Sequence, residues 1–178
     1  MNPFLGVWSS FYVITASSAA ALTGLMFVVI TLVAGLERLR KTRDGVETFS
    51  SPTVVHFCAA LLVSAILAAP WPALVQPGVT LALAGCGGVA YASRVILRMF
   101  RMGEAYLADA DDWFWYAIMP LVAYVAITVG AIVLPIIPAK ALFVLGGATT
   151  LLIFIGIRNA WDTVTYIAVE KSAELPPD

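Results

Sequence analysis

The sequence predicts an all-α fold, a polytopic transmembrane helical bundle of about five spans with its N-terminus outside and its C-terminus cytoplasmic. Three observations lead there. The 178 residues are 61% hydrophobic and only 12% charged, with a mean hydropathy of +0.94. The apolar residues come in runs close to the ~20 that a helix needs to cross roughly 30 Å of hydrocarbon. The basic residues gather almost entirely at alternate connections between those runs. A water-soluble domain carries roughly 25% charged residues, so half that charge leaves too little solvated surface to cover a globule. Hydrocarbon offers no partner to a backbone N–H or C=O, so each run has to be a helix.

Taken in order, the first span is expected over 11–36, ending in the charged stretch Glu37-Arg38-Leu39-Arg40-Lys41-Thr42-Arg43-Asp44-Gly45. The second is expected over 53–69. Ser51-Pro52 supplies an N-cap residue and a first-turn proline, and Pro70-Trp71-Pro72 stops the run. The third, over 79–97, comes after Gln76-Pro77-Gly78. The fourth, over 113–134, opens behind Asp111 and Asp112, whose charges favour a helix N-terminus, and Pro135 and Pro138 close it. Pro120 predicts a local kink one turn inside it. The fifth, over 141–157, is expected to continue as a cytoplasmic helical tail over 158–174. Cytoplasmic loops fall at 37–52 and 98–112, and residues 1–178 read as a single transmembrane domain. Met1 to Val7 holds no basic residue and the run behind it is too long for a signal h-region, so no cleavable signal peptide is expected.

Orientation comes from charge. An odd number of spans puts Arg38, Arg40, Lys41, Arg43, Arg94, Arg98, Arg101, Arg158 and Lys171 on one side, and leaves Lys140 as the remaining one of the 10 basic residues. All 11 acidic residues share the side of the many. The positive-inside bias places that side in the cytoplasm. Trp8 and Trp71 then mark the outer interface, and Trp113, Trp115, Tyr116 and Trp161 the inner one. The outer face is two short Pro-rich hairpins, too small for an external binding domain.

Several positions repeat at helical spacing. Ser10, Ser17, Gly24, Thr31 and Arg38 recur every seven residues, with Ala20, Ala21 and Gly35 beside them. They form one narrow, slowly drifting seam. Small residues let helix backbones approach closely and hydroxyls bond across the contact, so the seam reads as tight packing within or between copies. The functional reading is a weakly polar pore lining with Arg38 at its cytoplasmic mouth. On the third span Thr80, Ala84, Gly87, Tyr91, Arg94, Arg98 and Arg101 share a face that grows polar toward the cytoplasm. Its arginines suit snorkelling to lipid phosphates, or else an anion vestibule or a docking surface for an acidic partner. Glu104, Asp109, Asp111, Asp112 and Asp162 are available to neutralise it. Arg158 and Asp162, four apart, can pair on one face, with Asn159 and Tyr166 flanking.

His56, the single histidine, sits near the inner end of the second span and reads as a hydrogen-bonded interfacial group rather than a pH sensor or base. Cys58 and Cys86 lie inside apolar runs and read as buried small hydrophobes, not a disulfide. No Asp, Glu, Lys or Arg stands near the middle of any span, where coupled transporters place them. No P-loop, HExxH or Gly-x-Ser-x-Gly occurs. Neither catalysis nor a cofactor, a metal or nucleic acid is expected.

The stretch Thr15-Ala16-Ser17-Ser18-Ala19-Ala20-Ala21-Leu22-Thr23-Gly24-Leu25-Met26-Phe27-Val28 resembles the first span of a group of small uncharacterised bacterial multi-spanning inner-membrane proteins. Their pattern reads roughly Ala-Ala-Ala-Leu-Thr-Gly-Leu-Leu-Phe-Val. The resemblance implies a bacterial origin and a multi-pass place in the cell inner (plasma) membrane, and carries no activity or site. The residues themselves lead to a homo-oligomeric channel or passive pore for an ion or small solute. The alternative is a non-transporting accessory or regulatory subunit of a larger membrane complex, engaging a cytoplasmic or membrane protein partner.

Overall fold

The computed structural model describes residues 2–37, 44–102, 111 and 113–173. Every regular element among them is helical: α1 (Pro3–Glu37), α2 (Asp44–Ala68), α3 (Val75–Met102), a π-helical stretch (Trp113–Ile118) that leads into α4 (Met119–Val133), and α5 (Pro138–Ala173). Four stretches are long and apolar enough to cross a bilayer, Pro3–Thr31, Val75–Phe100, Trp113–Val133 and Pro138–Thr165, while the apolar part of α2, Pro52–Ala68, is shorter. Outward faces carry large exposed apolar side chains such as Val7, Ile14, Leu83, Ile132, Phe143 and Phe154, which only hydrocarbon or another apolar surface can cover. The chain is an α-helical membrane protein.

Helix ends differ from the expected ones where capping rather than hydropathy decides. α1 begins at Pro3, not near Phe11: Asn2 Oδ1 accepts the Phe4 N–H at 3.1 Å, and Pro3 takes a first-turn position needing no N–H partner. α2 begins at Asp44, so Pro52 is an interior proline instead of a first-turn one. The kink expected at Pro120 takes another form. Pro120 is the second residue of α4, directly behind the π-helical stretch, and the change of hydrogen-bond register falls where the proline ring interrupts the ladder. α5 starts at Pro138 and runs unbroken through Arg158 to Ala173.

The helices pack in the spatial order α1–α2–α5–α4–α3, so α2 and α5 form the centre. At one end of the bundle the Asn2 N–H donates to the Trp71 carbonyl at 3.2 Å, Trp8 stacks edge-on to Phe143, and Gly78 abuts Ala131 and Pro135. The other end holds the α1 C-terminus, the α2 N-terminus, the end of α3 and the π-helical stretch. This is the charged end, since Arg94, Arg98, Arg158 and Asp162 lie toward it.

The inward face of α1 is Leu5, Trp8, Tyr12, Thr15, Ala19, Leu22 and Met26, alternating steps of three and four, each buried or half-buried. That is the spacing of left-handed knobs-into-holes packing. Tyr12 Oη donates to the Leu142 carbonyl at 3.2 Å, and the Thr15 and Ser64 hydroxyls bond at 2.8 Å across α1 and α2. Such interhelical bonds average about 0.6 kcal/mol and reach ~1.7 kcal/mol. Thr15→Val should therefore lower stability by an amount in that range in a detergent unfolding titration, with no further loss when Ser64→Ala is added.

Cys58 and Cys86 are both free and exposed on the outer surface of the bundle, not buried as expected. A thiol is apolar enough to face lipid, so an apolar run alone does not separate the two placements.

Candidate functional site

The most polar part of the interior lies toward the charged end, where α2, α3, α4 and α5 converge. α2 presents Thr53, His56 and Phe57 inward, all at most 1% exposed. Phe57 packs onto Gly156 of α5 so closely that a Cβ there would overlap its ring. α2 ends where α5 begins, so the two run antiparallel. One turn from the Phe57–Gly156 contact toward the charged end, this register sets Thr53 of α2 and Asn159 of α5 at the same depth in the bundle. Both side chains are completely buried. Thr53 Oγ1 and both Asn159 amide atoms, Oδ1 and Nδ2, have no hydrogen-bond partner.

On the neighbouring face His56 Nδ1 lies 2.9 Å from Tyr124 Oη of α4, both groups buried. Which of the two donates depends on the imidazole tautomer. The Tyr91 ring of α3 stands edge-on to His56 with centroids 6.4 Å apart. Gly88 lets α3 approach so closely that any side chain there would overlap the Tyr124 ring. Thus close-packed glycines on α3 and α5 hold the two aromatic walls, Tyr124 and Phe57, around the polar groups of α2. The arrangement can donate and accept hydrogen bonds in an otherwise apolar surround. Among the described residues no group of three or more His, Cys, Asp or Glu could hold a metal.

The residues singled out by spacing divide differently. Ser10, Ser17, Gly24 and Thr31 all point out of the bundle, and a Cβ on Gly24 would meet nothing within 4 Å. They stand five residues on from Leu5, Tyr12, Ala19 and Met26, about 140° round the helix from the core-facing row. The seam is therefore not packed within one copy. Val13 and Val28 share its face and are exposed, and Thr31 Oγ1 turns back to the Val28 carbonyl at 2.8 Å. Arg38 lies outside the described residues. The α3 stripe splits: Tyr91 is half-buried against His56, whereas Thr80, Gly87, Arg94 and Arg98 are exposed. The Arg101 side chain, Glu104, Asp109 and Asp112 are likewise outside the described residues, and Asp111 is exposed. Arg158 and Asp162 form an ion pair, each about a third exposed.

Reading by spacing passed over Thr53 and Tyr124 and named Asn159 only as a flanking residue. A polar pair three apart at Thr53 and His56 is itself a signal, because polar groups in hydrocarbon need partners, whereas Asn159 falls beside Arg158 just past the expected fifth span. Tyr124 carries no such signal: its partner stands 68 residues away. At the opposite end an open, almost wholly apolar groove of about 320 Å³ is lined by Pro3, Phe4, Val7, Trp8, Ala139 and Phe143, and offers no polar handle. No protein-family model, curated protein or solved structure matches the chain.

Proposed function

We propose that this is a five-span bacterial inner-membrane protein, N-terminus outside and C-terminus cytoplasmic, that works as an assembly of copies joined through the outward face of α1. The observation that carries the reading is the opposition of two seven-residue rows on that helix, with Leu5, Tyr12, Ala19 and Met26 turned inward and Ser10, Ser17, Gly24 and Thr31 turned outward. A face meant only for lipid gains nothing from small residues, since acyl chains pack as well against Leu; a second backbone gains close approach. Val13 and Val28 on the same face favour a dry contact over a water-filled lining.

Gly24→Leu separates self-association from folding. An added Cβ there meets nothing within 4 Å inside one copy, so the stability of the isolated copy should stay within ~0.5 kcal/mol of the parent, while dimerisation in bilayers weakens at least tenfold, ~1.4 kcal/mol. Förster transfer between labelled copies in liposomes reads it. Unchanged association would remove α1 from the interface. Orientation is tested by cysteine labelling of intact cells, with Lys140→Cys reacting from outside and Glu104→Cys protected.

A passive pathway for an ion or small solute along the axis between copies is the second reading, favoured by the hydroxyls of Ser10, Ser17 and Thr31 on the shared face. It requires flux through reconstituted liposomes that Thr31→Leu reduces. Were the α1 face instead to capture one defined foreign membrane protein in stoichiometric amount, the chain would be an accessory subunit.

A further inference from the structure

We infer that Thr53 and Asn159 enclose a hydration site within the bundle, in which ordered water bridges the two side chains beside the His56–Tyr124 pair. The site lies within one copy and does not depend on whether copies associate through α1. Three side-chain polar atoms here, Thr53 Oγ1, Asn159 Oδ1 and Asn159 Nδ2, are fully buried and unpartnered. A buried donor or acceptor left unsatisfied costs about 1–3 kcal/mol, and such groups in folded proteins are satisfied by protein or by ordered water.

The chemistry of the partner is set by the groups that face it. A hydroxyl donates once and accepts, and a carboxamide donates twice and accepts, so the bridging molecule has to do both. It has to be small, because the next turn is sealed by Phe57 pressed on Gly156 and by buried Ala60. It has to be neutral: the nearest charges on α5, Arg158 and Asp162, already pair with each other. Water meets all three conditions, and a buried water makes about three hydrogen bonds. The route in is from the charged end, past the partly exposed Arg158–Asp162 pair adjoining Asn159. The hydrated region ends at Phe57, so water reaches the neighbourhood of His56 from that end and goes no farther.

The test is water-edited solid-state NMR on the full chain in bilayers, tracking magnetisation transfer from bulk water. The Asn159 side-chain amide should receive it several-fold faster than the buried Thr149 backbone amide, about 15 Å farther from the charged end along α5. Asn159→Leu supplies the second reading. A hydrated amide is bonded, so its replacement should lower the thermal midpoint and slow transfer to Thr53. An amide without a partner would give a higher midpoint on going to Leu, and a direct Thr53–Asn159 bond would give slow transfer in the parent protein. Either result overturns the inference.

Discussion

Gly85→Val is expected to drive α3 away from α4 and destabilise the bundle by about 3 kcal/mol. The helices cross here with Gly85 against Thr128, and an added Cβ would lie 3.0 Å from the Thr128 nitrogen and 3.1 Å from its Cα. Backbone atoms cannot rotate aside as a side-chain tip can, so relief requires the helices to part. Parting them forfeits the dispersion contacts that hold helices together where no hydrophobic driving force operates between them. It also withdraws Tyr91 from His56 along the same helix. Gly87→Val is the matched control: two residues on, its Cβ meets nothing within 4 Å, and its effect should stay within ~0.5 kcal/mol. Detergent-denaturant titrations of the two variants should differ severalfold in lost stability. Equal effects would mean that α3 does not meet α4 through Gly85.

The second large effect is expected at the histidine. Tyr124→Phe keeps the ring that packs on Gly88 and deletes only the hydroxyl 2.9 Å from His56 Nδ1. His56 is 1% exposed, so bulk solvent cannot take the place of the phenol at the ring nitrogen, and the loss should be about 1–3 kcal/mol. His56→Phe should cost a similar amount by stranding the phenol. The double variant should cost clearly less than the sum, since contacting residues that share one bond couple. Strict additivity in this cycle would remove the pair as a unit of the fold.

The membrane class and the existence of each helix were legible in composition and run length, because burying a backbone in hydrocarbon leaves a chain few alternatives. Helix ends were less so. The Asn2-Pro3 capping signal starts α1 well ahead of the apolar run, and α2 extends back through Ser51-Pro52 to Asp44. The seven-residue row from Ser10 could be seen as a seam but not oriented. Its opposing row is disguised by mixed chemistry, with Leu5, Tyr12, Ala19 and Met26 sharing only a spacing. Hydropathy does not tell the inside of a membrane bundle from its outside, as both are apolar, which is also why Cys58 and Cys86 were misplaced. The polar cluster was half legible: Thr53 and His56 stand out in an apolar run, while Asn159 lies just past the expected fifth span, and Tyr124 joins them only through the packing of α3 and α4 around Gly88.

The claim on which the functional account turns is that copies of this chain meet along the outward row of α1. Disulfide trapping in native membranes tests it, in a background with the exposed Cys58 and Cys86 replaced by serine. Under mild oxidation, Ser17→Cys should give a covalent dimer in high yield, whereas Leu83→Cys, equally lipid-facing on α3, should stay monomeric. If Ser17→Cys stays monomeric too, or the two positions dimerise alike, α1 is not the contact between copies.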